Sequence, residues 1–391
     1  MQRLIRSLCA GALLIAGTNT AAPAQTAPSG TIAIGFSGPL SGGAAAYGFD
    51  VQRGLQLAID ELNAGGGVMV GGKKQTFKLV SLDDAYRPNE AATNAKRLSL
   101  QEGAPIVFVP HSGGILAVLG FNEKQAPKFI VAAYSSDPAI LKQNNTSVVM
   151  IPPSFDSYFK PFTDIEMKRF GKKLGLIPTT TAYGNSWTKG FTAAWQAAGG
   201  TVLSNNGVDY NTTTDFSTAV SKALAENPDV IFVGGPSQPT ALVMKAARDR
   251  GFTGGFVMMD QTKFDQVEQV LPVERLDGAV GLVPFREAPG NGVKKFVESY
   301  TKKFGKDREP NFEQANNYEA MHVFAAAIRL ANSTDPTAIM AKVHDAAASL
   351  PAKYAPQAIH GVSKSGHLIE DTYGAVVEHG KYTRITIPFT E

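Results

Sequence analysis

The chain has 391 residues, 43% of them hydrophobic and 18% charged, which are ordinary proportions for a globular protein and exclude extensive disorder. Its 37 Lys and Arg stand against 34 Asp and Glu, and setting Arg3 and Arg6 aside leaves 35 against 34. That balance argues against a nucleic-acid binder that works by neutralising phosphates.

Arg3 and Arg6 precede an apolar run from Leu8 to Ala16 and small residues through Ala22-Pro23-Ala24, the three-part pattern of a secretory leader. This predicts that residues 1–24 are removed, with cleavage near Ala24. The run is shorter than the roughly 20 residues that cross a bilayer, and no later stretch is long and apolar enough to do so. Cys9, the only cysteine, lies at the start of the run. A lipid anchor is therefore not expected, and a mature chain without cysteine forms no disulfide and does no thiol chemistry. The roughly 365 residues that remain exceed the size of one growing core, so two domains are expected.

Strands and helices then alternate. TIAIGFS (31–37) reads as a strand, and Val51, Leu55, Ala58 and Leu62 form a helical stripe over 51–63 that ends at Gly65-Gly66-Gly67. A strand at 77–84, a helix from about Asn89 to Gln101, the strand PIVFVP, a helix near Ile115 to Lys124 and the strand KFIVAA follow. Ile151-Pro152-Pro153 marks a boundary, because two prolines restrict the backbone. A second set begins at KKLGLIP (172–178) and continues with a helix from about Ser186 to Ala198 and the strand TVLSNNGV. A helix from about Phe216 to Glu226, DVIFVGG (229–235), a helix from about Pro239 to Arg250 and GFVMMD (255–260) complete it. The fold class expected is α/β, with parallel sheets covered on both faces. GLVPF (281–285) reads as a further strand, 316–331 as a helix, and 373–388 as two strands around Glu378-His379-Gly380.

No GxSxG, GxxxxGK, HExxH or strand-following GxGxxG is present, and the six histidines show no i, i+4 pairing. Neither catalysis, nor a metal, nor a cofactor is expected. What remains is a set of polar loops at the C-terminal ends of expected strands, where open α/β sheets place ligands. They are Ser37 to Gly43 leading to Tyr47-Gly48, His111-Ser112-Gly113-Gly114 before a helix, and Tyr134-Ser135-Ser136-Asp137-Pro138. Small residues let backbone N–H groups approach a ligand, and a helix N-terminus favours an anion. Ser112 and Ser136 are equally ordinary N-cap types.

TIAIGFSGPLSGGAAAYG at the start, the helix end DELNAGGG, Asp83-Asp84 followed by Pro88, and the TAYGNS segment together resemble the periplasmic leucine/isoleucine/valine-binding proteins, the type I solute receptors of ABC importers. The likeness runs over nearly the whole mature chain. It implies a two-lobed type I periplasmic binding protein fold with three hinge crossovers, in the periplasm, with a small carboxylate-bearing ligand held in the cleft and an ABC permease as partner. Lobe one would be 30–151 plus 282–355, and lobe two 152–281 plus 356–391. A monomer without nucleic-acid partners is implied. The resemblance puts carboxylate-binding donors near Ser112, Gly113 and Ser136, with Ser135 beside them, and an amine-facing carbonyl on Tyr134. It makes Tyr47 a pocket wall, Tyr183 a cleft tyrosine, and Asp260 the partner of a ligand ammonium, while Pro236 falls where an aromatic is common. Tyr134 is bulkier than the family's usual residue and His111 is foreign to its Ser- and Thr-rich loop. An aromatic carboxylic acid is thus the alternative to a branched-chain or other hydrophobic amino acid. A ligand-sensing receptor is the alternative to transport.

Overall fold

The computed structural model describes residues 30–289, 292–306, 309–357 and 359–389, so the expected leader lies outside the described residues. Sheet one is built from β1 (Thr31–Gly38), β2 (Val68–Val70), β3 (Lys73–Asp83), β4 (Ile106–Val109), β5 (Ile130–Ala133) and β6 (Val148–Met150). Their order is β2-β3-β1-β4-β5-β6, parallel except for the edge strand β2. Helices α1 (Ala45–Ala64), α2 (Pro88–Leu100) and α3 (Ser112–Leu119) connect these strands. Nearly continuous burial along β1, β4 and β5 fits a parallel sheet covered on both faces.

After α4 (Phe159–Arg169), sheet two begins with β7 (Lys173–Pro178), α5 (Ala182–Ala197), β8 (Thr201–Asn205) and α6 (Ser217–Ala225). It continues with β9 (Val230–Gly234), α7 (Ser237–Asp249), β10 (Gly255–Met258), the short α8 (Phe264–Val267) and β11 (Ala279–Leu282). The chain then forms α9 (Val293–Phe304), α10 (Phe312–Ala331) and α11 (Pro336–Ala348), with α10 packed on α1 of lobe one. The hairpin β12 (Ile359–Val362) and β13 (Leu368–Glu370) lies against α11 and meets β6, where Met150 N–H donates to the Gly366 carbonyl at 2.8 Å. Finally β14 (Thr372–Glu378) and β15 (Lys381–Ile387) add antiparallel to the edge of sheet two, whose order is β15-β14-β11-β10-β9-β7-β8. The chain passes between lobes three times, near Pro152-Pro153, after Leu282 and before Thr372. This is the two-lobed α/β architecture expected.

Several elements differ from expectation. α1 starts at Ala45, six residues before the expected 51, because a glycine inside it is a packing device and no break. A Cβ on Gly48 would lie 1.7 Å from the Pro39 carbonyl oxygen. α3 starts at Ser112 because His111 Nδ1 accepts from Gly114 N–H at 3.0 Å, and it stops at Gly120, short of the expected Lys124. GLVPF yields only the end of β11, since Pro284 begins a 3-10 turn. A capping box of Asn311 and Gln314 carries α10 one turn further back than expected. α4, α8, α9, α11, β2, β6 and the β12–β13 hairpin were not anticipated. Two carried readable signals: Val293, Phe296 and Tyr300 are the buried stripe of α9, and Asp335-Pro336 is an N-cap followed by proline.

α1 and α10 approach so closely that a Cβ on Gly54 would lie 2.2 Å from the Gln314 carbonyl oxygen. Gly54→Ala is expected to destabilise the protein by about 1–3 kcal/mol through forced separation of these helices, read as a lower urea midpoint. An unchanged midpoint would show that the contact yields freely.

Candidate functional site

Between the lobes lies a cavity lined by residues of both. Every loop that lines it from the sheets follows the C-terminal end of a parallel strand, where strand order reverses around β1 in one sheet and β7 in the other. From lobe one come Tyr47 in the first turn of α1, His111 after β4, and Tyr134, Ser135 and Ser136 after β5. From lobe two come Tyr183 in the first turn of α5 and Asp260 after β10. These seven expected residues are brought together. Ser112, Gly113 and Pro236 do not line this cavity.

Asp260 is the anchor of the lobe-two wall. Its Oδ1 accepts from Tyr183 OH at 2.6 Å and from the indole N–H of Trp187 at 2.8 Å. Trp187 in turn packs on Phe155, Phe159 and Phe232 with centroids 5.0–5.5 Å away. A carboxyl group this buried needs such donors in place of water. Tyr183 OH also accepts from Gln261 N–H at 3.2 Å, so one hydroxyl fixes both the carboxylate and the loop that carries it. Burial pushes the Tyr183 hydroxyl far above its ordinary pKa, as it does for Tyr47 and Tyr134, which keeps all three neutral.

His111 has a structural task. Its Nδ1 caps α3, which leaves Nε2 to donate to Asp84 Oδ2 at 3.1 Å. Asp84 also accepts from Ser37 Oγ at 3.0 Å and, through Oδ1, from Tyr86 N–H at 2.9 Å. Those bonds hold Tyr86 at φ +62°, a conformation that costs a bulky residue roughly 1–3 kcal/mol. The Tyr86 ring stacks on His111 at 4.6 Å and forms another wall of the cavity. Ser112 is turned away from the cavity: its Oγ lies 2.8 Å from Ser135 Oγ and also bonds the carboxyl of Asp137. Gly113 packs under Pro88, 2.9 Å from where its Cβ would be. Tyr47 OH donates to the Pro110 carbonyl at 2.6 Å and lies 3.3 Å from the Tyr134 carbonyl, the group expected to face an amine. Pro236 caps α7 and borders the wider groove outside the cavity, beside Tyr47 and Asp50. Ser136 Oγ is buried at the cavity with no hydrogen-bond partner among the described residues.

The sequence reading missed Tyr86, Gln261, Lys263 and Glu313. Lys263 reaches from the start of α8 to Glu313 Oε1 at the start of α10, 2.8 Å away, and also donates to the Asp260 carbonyl oxygen. Both charged side chains are almost completely buried. Further bonds join the lobes: Gln266 Nε2 to Asp50 Oδ2 at 2.7 Å, Ser186 Oγ to Asp137 Oδ1 at 2.9 Å, and Gln261 Nε2 to Tyr86 OH at 3.3 Å. The structure is a closed form. Among the described residues no group of three or more His, Cys, Asp or Glu is placed to hold a metal ion, and no helix is long and apolar enough to cross a membrane.

The sequence model described as "periplasmic binding protein" matches residues 31–381. The chain belongs to the periplasmic binding protein family. It is 26% identical over 344 residues to Leu/Ile/Val-binding protein homolog 8 of Brucella suis, covering 83% of this chain and 82% of that protein. Among solved structures it is similar to the branched-chain amino acid transporter substrate binding protein LivJ of Streptococcus pneumoniae in complex with isoleucine, with a TM-score of 0.75, 22% identity, and 91% and 99% of the two chains covered. A solute binding protein of an ABC transporter from R. palustris, in complex with benzoate, gives a TM-score of 0.76 at 19% identity, covering 92% of this chain and 96% of that one. The family and these neighbours are solute-binding proteins.

In this binding protein Asp50 is a second buried carboxyl at the closure. Burial first, and Glu313 second, push it from 3.8 to about 7 against the opposing effects of Arg53, Asn311 and Gln266, while Tyr300 lies nearby. The folded state thus holds a proton that the unfolded chain releases near 3.8, and Asp50's contribution to stability is lost as pH rises through about 7. Asp50→Asn cannot ionise. The melting temperature of the variant relative to the parent should therefore rise between pH 5 and pH 8, and a difference that stays flat would contradict the raised carboxyl.

Proposed function

We propose that this chain is the extracytoplasmic receptor of an ABC importer, exported to the periplasm with its leader cleaved near Ala24. It closes as a monomer on an amino acid with an apolar or aromatic side chain and presents the closed form to the permease. Lobe one is assigned to 30–151 plus 283–371 and lobe two to 152–282 plus 372–389, the last crossover falling after the β12–β13 hairpin and so later than the expected 355, with the lobes rotating about the three crossovers. No reaction is catalysed in this reading.

The observation that carries it is the charge in the cavity. Asp260, Glu313 and Lys263 place two acids and one amine in the cavity, all buried, and burial raises Glu313 against the opposing effect of Lys263. A zwitterionic amino acid adds no net charge and sets its ammonium beside Asp260, whereas a ligand with only a carboxylate adds a further negative charge in a desolvated space. The ligand carboxylate has two donors opposite: the unpartnered Ser136 hydroxyl and the third proton of Lys263, whose other two serve Asp260 and Glu313. Four tyrosine rings, from Tyr47, Tyr86, Tyr134 and Tyr183, form the apolar wall. Those rings, together with Lys263 and the benzoate complex of the R. palustris protein, favour an aromatic carboxylic acid as the second reading.

A thermal-shift screen of ligand-stripped protein separates the two readings, because a ligand bound only by the folded state raises the melting temperature. Stabilisation by amino acids, with Asp260→Asn weakening them about 10- to 100-fold, supports the first reading. Stabilisation by aromatic acids alone, undiminished in that variant, supports the second. Ser136→Ala should weaken either ligand class while leaving the fold intact, and an unchanged affinity would remove Ser136 from the site.

A further inference from the structure

Adjoining the first cavity lies a second chamber, and Tyr134, Pro152, Asp260 and Lys263 line both. Its walls include all three crossovers between the lobes: Pro152-Pro153, Leu282 and Thr372-Tyr373. Tyr158 and Phe312 complete an apolar middle section. The remaining lining side chains, Asn316, Gln357 and Thr372, are polar.

We propose that this inner chamber is a side-chain subsite that selects ligands with an aromatic or long apolar body ending in a neutral hydrogen-bonding group. The inference rests on the amino-acid reading of the cleft. Thr372 is 8% exposed, and its Oγ1 is buried without a hydrogen-bond partner among the described residues. A hydroxyl left so is costly unless something completes it, and Thr372 lines the chamber. Its neighbours are fixed: Gln357 Nε2 donates to Asn316 Oδ1 and to Glu370 Oε2, the latter at 3.1 Å, and Gln357 N–H donates to Glu319 Oε1 at 2.6 Å.

The chamber's polar end carries little charge. Burial raises Glu370 to about 8, and burial together with Glu370 raises Glu319 well above the ordinary range. Burial thus favours the neutral form of both acids, so the framework behind Asn316 and Gln357 has little charge to offer a cation or an anion. A charged distal group would be desolvated without a partner, whereas a hydroxyl or amide exchanges bonds with water for bonds with Thr372 and its neighbours. A branched aliphatic side chain carries no hydrogen-bonding group and leaves Thr372 unpaired. Extended ligands touch the same three crossovers that must bend on closing, so occupancy of the chamber is coupled to closure.

The test uses ligand-stripped mature protein, titrated calorimetrically with L-leucine, L-phenylalanine and L-tyrosine. Tyrosine is expected to bind about 3- to 10-fold more tightly than phenylalanine, and both more tightly than leucine. Thr372→Val keeps the β-branched shape and removes the hydroxyl, so it should bring tyrosine down to the level of phenylalanine and leave the other two unchanged. A melting curve of the unliganded variant confirms that it folds. If all three ligands bind and weaken in Asp260→Asn, but leucine binds as tightly as tyrosine or Thr372→Val changes nothing, the subsite is overturned and the cleft reading stands. Should none of the three bind, the cleft reading falls and takes the subsite with it.

Discussion

A carboxylate removed from water must be given donors, and in this protein the two donors offered to Asp260 come from one helix. Tyr183 and Trp187 lie four residues apart in α5, so they project on one face and converge on a single oxygen. That convergence joins β10 to α5 at the cleft and roots the site in the aromatic core of lobe two. The ring of Trp187 packs among Phe155, Phe159 and Phe191, while its only polar atom emerges at the cavity. An apolar core and a charged site share one side chain, and the position of the charge inherits the rigidity of the core.

The lobe-one wall is built on a different principle. Asp84 gathers Ser37 near the end of β1, His111 after β4 and the backbone of Tyr86 after β3, so three adjacent strands end in one network. Strain at Tyr86 is tolerated because the network over-determines it. Closure then needs few contacts across the cleft. Lys263 with Glu313 is the most deeply buried of them, and its ion pair is enclosed only when both lobes are in place.

The alternation of strands and helices made the α/β class and most elements of both sheets legible, because parallel strands buried on both faces read as short apolar runs. Tyr183 and Asp260 were legible only through resemblance, as residues at strand or helix ends. Lys263 gave no signal: a lone lysine in a loop reads as solvated, and the acid that neutralises it is fifty positions on, in a different lobe. Glu313 was hidden for the same reason, one turn ahead of where the helix was expected to start. His111 was read as a departure in the pocket, whereas its ring nitrogens serve the α3 cap and Asp84. Ser112 looked like a ligand donor because helix N-termini bind anions, but Asp137 brings the protein's own carboxyl group to that place.

The packing of α10 on α1 bears on how the chain folds. The six strands of sheet one are complete by Met150, yet the helix that covers Leu55 and Ala58 of α1 begins at Phe312. A chain made from its N-terminus holds a finished sheet sequence with one face uncovered until the last third exists. Lobe one thus depends on contacts of long sequence separation, which form late and slowly. Lobe two is likewise unfinished until β14 and β15 close its edge, so neither lobe can mature before nearly the whole polypeptide is available.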